Sequence, residues 1–160
     1  MSGAVAALAI VTAVFAACTG GALYAFSSFV MPALKRLPVA QGVAAMQSIN
    51  VTAVRAPFML PFVGSAALSV AVVVAGVAAV DESHGPWMLA AAALYLIGVF
   101  GLTMTYHVPR NDALDLLDPE APGTEAAWRT YYAEWTAANH VRAAAGLLAA
   151  AALMIALRVA

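Results

Sequence analysis

The hydrophobic positions of this chain fall into four long runs, separated by three polar connections of unequal length. The first run, 3–26, carries no charged residue. At about 1.5 Å per residue it is long enough to cross a bilayer core of about 30 Å. The other runs lie at about 57–80, 87–106 and 139–158. The pattern predicts four membrane-spanning helices.

The lengths of the connections predict how these helices are arranged. The segment 81–86, DESHGP, is a tight polar turn that forces its two neighbouring helices to be antiparallel. The connections 27–56 and 107–138 are long, and in an up-down arrangement both lie on the same face. We therefore predict an all-α fold with a single membrane domain over 1–160: an antiparallel four-helix bundle with a long last helix.

Prolines predict where helices stop within the long connections. Pro32 and Pro38 are expected to interrupt any long helix after the first run, and Pro109 to end the third span. Between the breaks, 39–54 has the pattern of a short amphipathic helix at the membrane face. The last helix, 125–158, would be about 51 Å long if unbroken, so its first half is expected to project from the bilayer or to kink.

One narrow stripe of aromatic and polar residues runs along this last helix. At 100° per residue, its members all fall within about 60° of Trp135. They are Trp128, Tyr131, Tyr132, Trp135, Asn139 and Arg142. His140 points about 140° away from Trp135. The four aromatic side chains can be interpreted as an interfacial belt or as substrate-binding residues that stack on a flat aromatic ligand. The polar groups, which enter lipid, need partners and indicate a specific role.

Composition places the chain in a membrane. Of its 160 residues, 64% are hydrophobic and 9% are charged, whereas soluble domains carry about 25% charged residues. A net charge of −1 without a basic run predicts no nucleic-acid partner. The single cysteine, Cys18, excludes an intramolecular disulfide framework and a cysteine-based zinc site.

Basic residues predict the orientation of the bundle. They concentrate on the face of the two long connections: Lys35, Arg36, Arg55, Arg110, Arg129 and, at its edge, Arg142. The other face has only the C-terminal Arg158. The positive-inside rule then predicts cytoplasmic connections and outside termini, in the cytoplasmic membrane if the protein is bacterial.

Most polar groups capable of chemistry gather at this same face. Asn50, His107 and Asn111 join the stripe there, so we expect a site for an apolar small molecule that enters from the lipid bilayer. An imidazole such as that of His107 can act as a general base near neutral pH.

Two other features of the sequence leave alternatives open. A metal or haem site built from His107, His140, Asp112 and Glu134 remains an alternative, although no pair of them has helix-face spacing. Small residues on the first and third spans are also compatible with a homo-oligomer.

Four segments together resemble the anthrone-oxygenase-like family of small four-span membrane proteins. They are FSSFVMPAL, AMQSIN, LTMTYHVPRNDAL and W-x-x-Y-x-x-W-x-x-x-N-H-V-R, and the resemblance runs from about Tyr24 into the last span. Characterised members oxidise an anthrone to an anthraquinone with O₂, without a known metal or flavin. The resemblance implies that this chain shares that activity and points to Asn111, Trp135, Asn139, His140 and Arg142 as site residues. The chain departs from the family pattern at His107, where Asn is expected, and at Arg110, where an apolar residue is common.

These observations lead to a hypothesis for the mechanism. His107 or His140 removes a proton from an anthrone-type substrate, Arg142 and Asn139 stabilise the enolate oxygen, and the anion reacts directly with O₂. Such a substrate supplies its own electrons, so no cofactor is predicted. Two alternatives are a binding module for a quinone, lipid or haem, and an accessory subunit of a membrane complex.

Overall fold

The structure, a computed structural model, describes residues 1–160 and is entirely helical. Its five helices are α1 (Gly3–Leu34), α2 (Val39–Ala53), α3 (Ala56–Ala78), α4 (Gly85–Asp115) and α5 (Thr124–Val159). All except α2 are long and apolar enough to cross a membrane. The predicted all-α bundle is confirmed, and the protein is an integral membrane protein.

Helices α1 and α5 approach each other most closely, through glycine. A Cβ atom on Gly20 would lie 2.8 Å from the backbone nitrogen of Leu147, and one on Gly146 would lie 2.9 Å from Cα of Gly20. The two backbones therefore touch, as small residues allow in membrane bundles where van der Waals packing drives association.

The expected break at Pro32 does not occur, because a π-helical turn precedes this proline. The turn covers Phe26–Val30, and the backbone N–H of Met31 donates to the carbonyl of Phe26, five residues back. In a regular α-helix the proline ring would clash with the carbonyl four residues earlier. The wider turn relieves that clash, so α1 continues beyond residue 26 to Leu34. Pro38, in contrast, does separate α1 from α2.

The same arrangement carries α4 through Pro109. Two π-helical segments, Leu94–Gly101 and Thr103–His107, precede that proline. The backbone N–H of Val108 donates to the carbonyl of Thr103, again five residues back. The predicted end of the third span near His107 is therefore wrong, and α4 extends to Asp115.

Helix α5 is a single α-helix of 36 residues without a break. Helix α2 covers its first half: Val43 and Met46 share one hydrophobic cluster with Trp128 and Tyr131. The amide of Gln47 in α2 also donates to two carbonyls at the end of α4 and just beyond it, at 3.0 and 2.9 Å. The two predicted connections thus meet on one face of the bundle.

Gly20→Ala should lower the free energy of unfolding by about 1–3 kcal/mol, because the added methyl meets the α5 backbone and forces the helices apart. Gly21→Ala is the matched control, since a Cβ there meets nothing within 4 Å. It should be neutral or raise helix stability by up to about 1 kcal/mol. Unfolding by SDS in mild detergent measures both, and equal effects would contradict the backbone contact.

Candidate functional site

A cavity of about 520 Å³ lies at this face of the bundle and touches all five helices. Its walls are mainly apolar, with side chains that include Leu23, Phe26, Met46, Phe58, Phe62 and Trp135. Residues 52–55 and 57, around the junction of α2 and α3, also line the cavity and are largely exposed. The cavity therefore has an apolar interior and a mouth at the α2–α3 junction.

Polar side chains form the smaller part of this wall, and one of them is a buried cation. The guanidinium of Arg142 lines the cavity, and the residue is only 5% exposed. Its Nη1 donates to Oγ1 of Thr103 at 3.1 Å, and its Nη2 donates to Oδ1 of Asn139 at 2.8 Å. Oγ1 of Thr103 donates its own proton to the carbonyl of Val99 at 2.7 Å, which leaves its lone pairs for Arg142. The buried Nε of Arg142 has no partner.

No carboxylate neutralises Arg142. Glu134, which is also on α5, forms an ion pair with Arg110 instead, with Oε2 and Nη2 2.8 Å apart. The guanidinium of Arg110 also stacks on Tyr106, 3.4 Å from the ring centroid. A buried charge is costly without an opposite charge, so Arg142 is poised for an anionic or partly anionic ligand group.

Asn139 holds Arg142 in place from behind the cavity wall. This residue is completely buried and does not line the cavity. Its Nδ2 donates to the carbonyl of Leu23 at 2.8 Å and to Oγ of Ser27 at 2.9 Å. With its Oδ1 occupied by Arg142, the amide has little capacity left for a ligand. Asn139 is thus a positioning residue that ties α1 to α5.

Asn111 presents a free donor to the cavity. Its Oδ1 accepts two hydrogen bonds, from the hydroxyl of Tyr131 at 2.9 Å and from Nε1 of Trp135 at 3.0 Å. These two donors fix the orientation of the amide, which leaves Nδ2 available to a ligand. The other asparagine on the wall, Asn50, donates to Oδ1 of Asp115 at 3.0 Å.

Neither candidate histidine reaches the cavity. His107 is completely buried, and its two ring nitrogens each lie 3.3 Å from a backbone carbonyl, of Leu102 and of Trp135. It packs edge-on against the ring of Trp135, a residue that lines the cavity, whereas His107 itself does not line it. His140 is exposed on the other side of α5.

Most of the aromatic stripe packs inside the protein. Trp128, Tyr131 and Trp135 are 4, 7 and 4% exposed, so the interpretation as an interfacial belt is wrong for them. Trp128 stacks on Tyr131 with centroids 5.7 Å apart, and Nζ of Lys35 lies 5.1 Å from the centroid of Tyr132. Of the four predicted aromatic ligand contacts, only Trp135 lines the cavity.

Sequence reasoning missed several residues of the wall. Arg55 was used only to predict orientation, and Thr103 had no assigned role. Phe58 and Phe62 looked like ordinary span residues. The one available signal was the interval of four residues between the two phenylalanines, which places them on one face of α3.

The candidate metal ligands do not assemble: no three His, Cys, Asp or Glu side chains come together.

Comparison with known proteins identifies the family of this chain. Residues 55–152, more than half of the chain, match the family model described as anthrone oxygenase. The chain belongs to the anthrone oxygenase family. The match includes Asn111, Trp135, Asn139 and Arg142, whereas FSSFVMPAL and AMQSIN precede it. Neither the curated proteins nor the solved structures include a significant match. Membership supports an oxygenase-like membrane function at the level of the family.

Asn139→Ala should lower the free energy of unfolding by about 1–3 kcal/mol, because it removes the buried donor to the carbonyl of Leu23 and leaves Nη2 of Arg142 without its acceptor. His140→Ala, one residue along on the exposed side, should change it by less than about 0.5 kcal/mol. SDS unfolding compares the two variants. A neutral Asn139→Ala would contradict the positioning role.

Proposed function

We propose that this protein is a membrane-embedded oxygenase that oxidises a flat, apolar carbon acid of the anthrone type with O₂. The observation that carries the proposal is the guanidinium of Arg142, buried without a carboxylate at the wall of an apolar cavity. Family membership supports the same reaction class.

The cavity suits such a substrate in size and character. Its volume of about 520 Å³ lies within the range of small-molecule sites, about 300–1,000 Å³. Aromatic side chains can pack against a flat ring system. Phe58 and Phe62 stack with centroids 5.7 Å apart, and Phe26 and Trp135 add two further rings to the wall. A lipid-soluble aromatic ketone would fit this surface, because its ring system can pack against these side chains.

The polar groups suit the charge that develops in the reaction. When an anthrone loses a proton from its CH₂ group, negative charge moves to the ketone oxygen on the opposite side of the ring. We propose that Arg142 and Nδ2 of Asn111 donate hydrogen bonds to this oxygen. Fixed donors in a site shielded from water stabilise such charge more strongly than the same groups in water.

The anion then reacts with O₂. The carbon that lost the proton donates electrons to O₂ and forms a C–O bond, which gives a peroxide anion that takes up a proton. Loss of water from this hydroperoxide leaves a second carbonyl, so anthrone and O₂ yield anthraquinone and water. The substrate supplies all the electrons, and the proposal therefore requires no metal or flavin.

The route of the first proton differs from the route that the sequence suggested. His107 and His140 were predicted as alternative bases, but both lie away from the cavity. We propose instead that stabilisation of the enolate makes the substrate acidic enough to release its proton to water at the exposed mouth. Asn139, predicted to contact the enolate, then acts through Arg142.

Arg142→Gln should reduce turnover of an anthrone by about 10²–10³-fold, the usual cost of losing an oxyanion donor. The measurement is O₂ uptake by purified protein in lipid nanodiscs, corrected for spontaneous oxidation. Arg129→Gln is the matched control, because Arg129 is exposed and pairs only with Glu125; it should keep full activity.

Full turnover by Arg142→Gln would contradict the role of the guanidinium. If the native protein bound anthrones or quinones but showed no O₂ uptake, the result would favour a binding module over an enzyme. His140→Gln should keep its activity, whereas its inactivation would restore the histidine as a base.

We also propose that both connections face the cytoplasm, since Lys35, Arg36 and Arg55 lie in the connections between α1, α2 and α3, whereas the turn between α3 and α4 has no Lys or Arg. In a Cys18→Ala background, Glu82→Cys in the α3–α4 turn should react with an impermeant maleimide on intact bacterial cells. Asp118→Cys, after α4, should react only after the cells are opened. The reverse pattern would invert the orientation.

A further inference from the structure

The cavity has a second cation, which the proposed reaction does not use. Arg55 lies between α2 and α3, lines the cavity and is exposed at its mouth. It makes no ion pair: the three in the structure join Glu82, Glu125 and Glu134 to other residues. Arg55 therefore stands free at the open end of a space whose buried side holds Arg142.

No acidic side chain lines the space between these two arginines. Asp115 accepts a hydrogen bond from Asn50 on the wall but does not itself line the cavity. The first turn of α3, directly after Arg55, also carries no acid. A mainly apolar cavity whose lining holds one exposed and one buried cation and no acid favours a ligand with negative charge.

We propose that the substrate carries a second acidic group, a carboxylate or an acidic phenol, which binds Arg55 at the mouth while its ketone oxygen meets Arg142. This inference rests on the proposed function. The ligand class becomes an acidic aromatic ketone that is apolar in the middle. The acidic group would also fix the orientation of the substrate, with the ketone end entering the cavity first. In the opposite orientation the acidic group would lie among the apolar side chains of the wall, where an unpaired charge is costly.

A simpler explanation for Arg55 is a membrane-facing cation that serves only orientation. Lys35 and Arg36 fit that explanation, since they are exposed, have no ion pair and do not line the cavity. Arg55 differs from them in its place on the cavity wall. Arg36 is therefore a matched control that carries the same charge near the same membrane face.

The test compares two product-shaped probes, anthraquinone-2-carboxylate and 2-methylanthraquinone, which share the quinone oxygen and differ in the acid. Their binding to the full chain is measured in phosphatidylcholine nanodiscs, with protein-free nanodiscs as the correction for partitioning. The variants are Arg55→Gln, Arg36→Gln and Arg142→Gln.

We expect the native protein to bind the carboxylate about fivefold more tightly than the methyl compound, the size of a solvent-accessible ion pair. Arg55→Gln should abolish this preference without weakening the methyl compound, and Arg36→Gln should preserve it. Arg142→Gln should weaken both probes.

Equal binding of the two probes, or the same loss in Arg36→Gln as in Arg55→Gln, would overturn the second acidic group. If Arg142→Gln still weakened both probes, the proposed function would stand. If neither probe bound the native protein, both the inference and the proposed ligand class would fall.

Discussion

The site depends on one constraint: the guanidinium of Arg142 is buried and is hydrogen-bonded only to neutral oxygen atoms. Arg142 enters the bundle without a carboxylate and is held by Thr103 and Asn139, which belong to α4 and α5. Asn139 in turn binds the Leu23 carbonyl and the Ser27 hydroxyl of α1. Neutral partners leave the positive charge uncompensated, so three helices are arranged around a cation that a ligand oxygen can still use.

The π-helical turns place the surrounding groups. The turn Phe26–Val30 in α1 follows Leu23, and Phe26 lines the cavity. The turn Thr103–His107 in α4 starts at the residue that binds Arg142. Each π-helical turn also lets its helix continue past a proline. The same two turns contain Phe26 and Thr103, which line the cavity. Such turns occur frequently at functional sites.

The sequence predicted the four spans, the common face of the connections and the side of α5 that faces inward, because helical periodicity and span length are local properties. It could not predict that α1 and α4 pass Pro32 and Pro109, since a π-helical turn has no simple composition signal. It also could not separate Trp135, which lines the cavity, from Trp128, which α2 covers. That distinction depends on how α2 folds back, as do the placement of Arg55 and the burial of His107.

The central claim is that Arg142 stabilises the anionic form of a bound carbon acid. The most direct measurement is the absorption spectrum of an anthrone bound to the protein without O₂, recorded as a function of pH. The account predicts that the anion forms at lower pH on the native protein than in empty nanodiscs, and that Arg142→Gln removes this difference. An anthrone that ionises at the same pH in both proteins and in empty nanodiscs would contradict it.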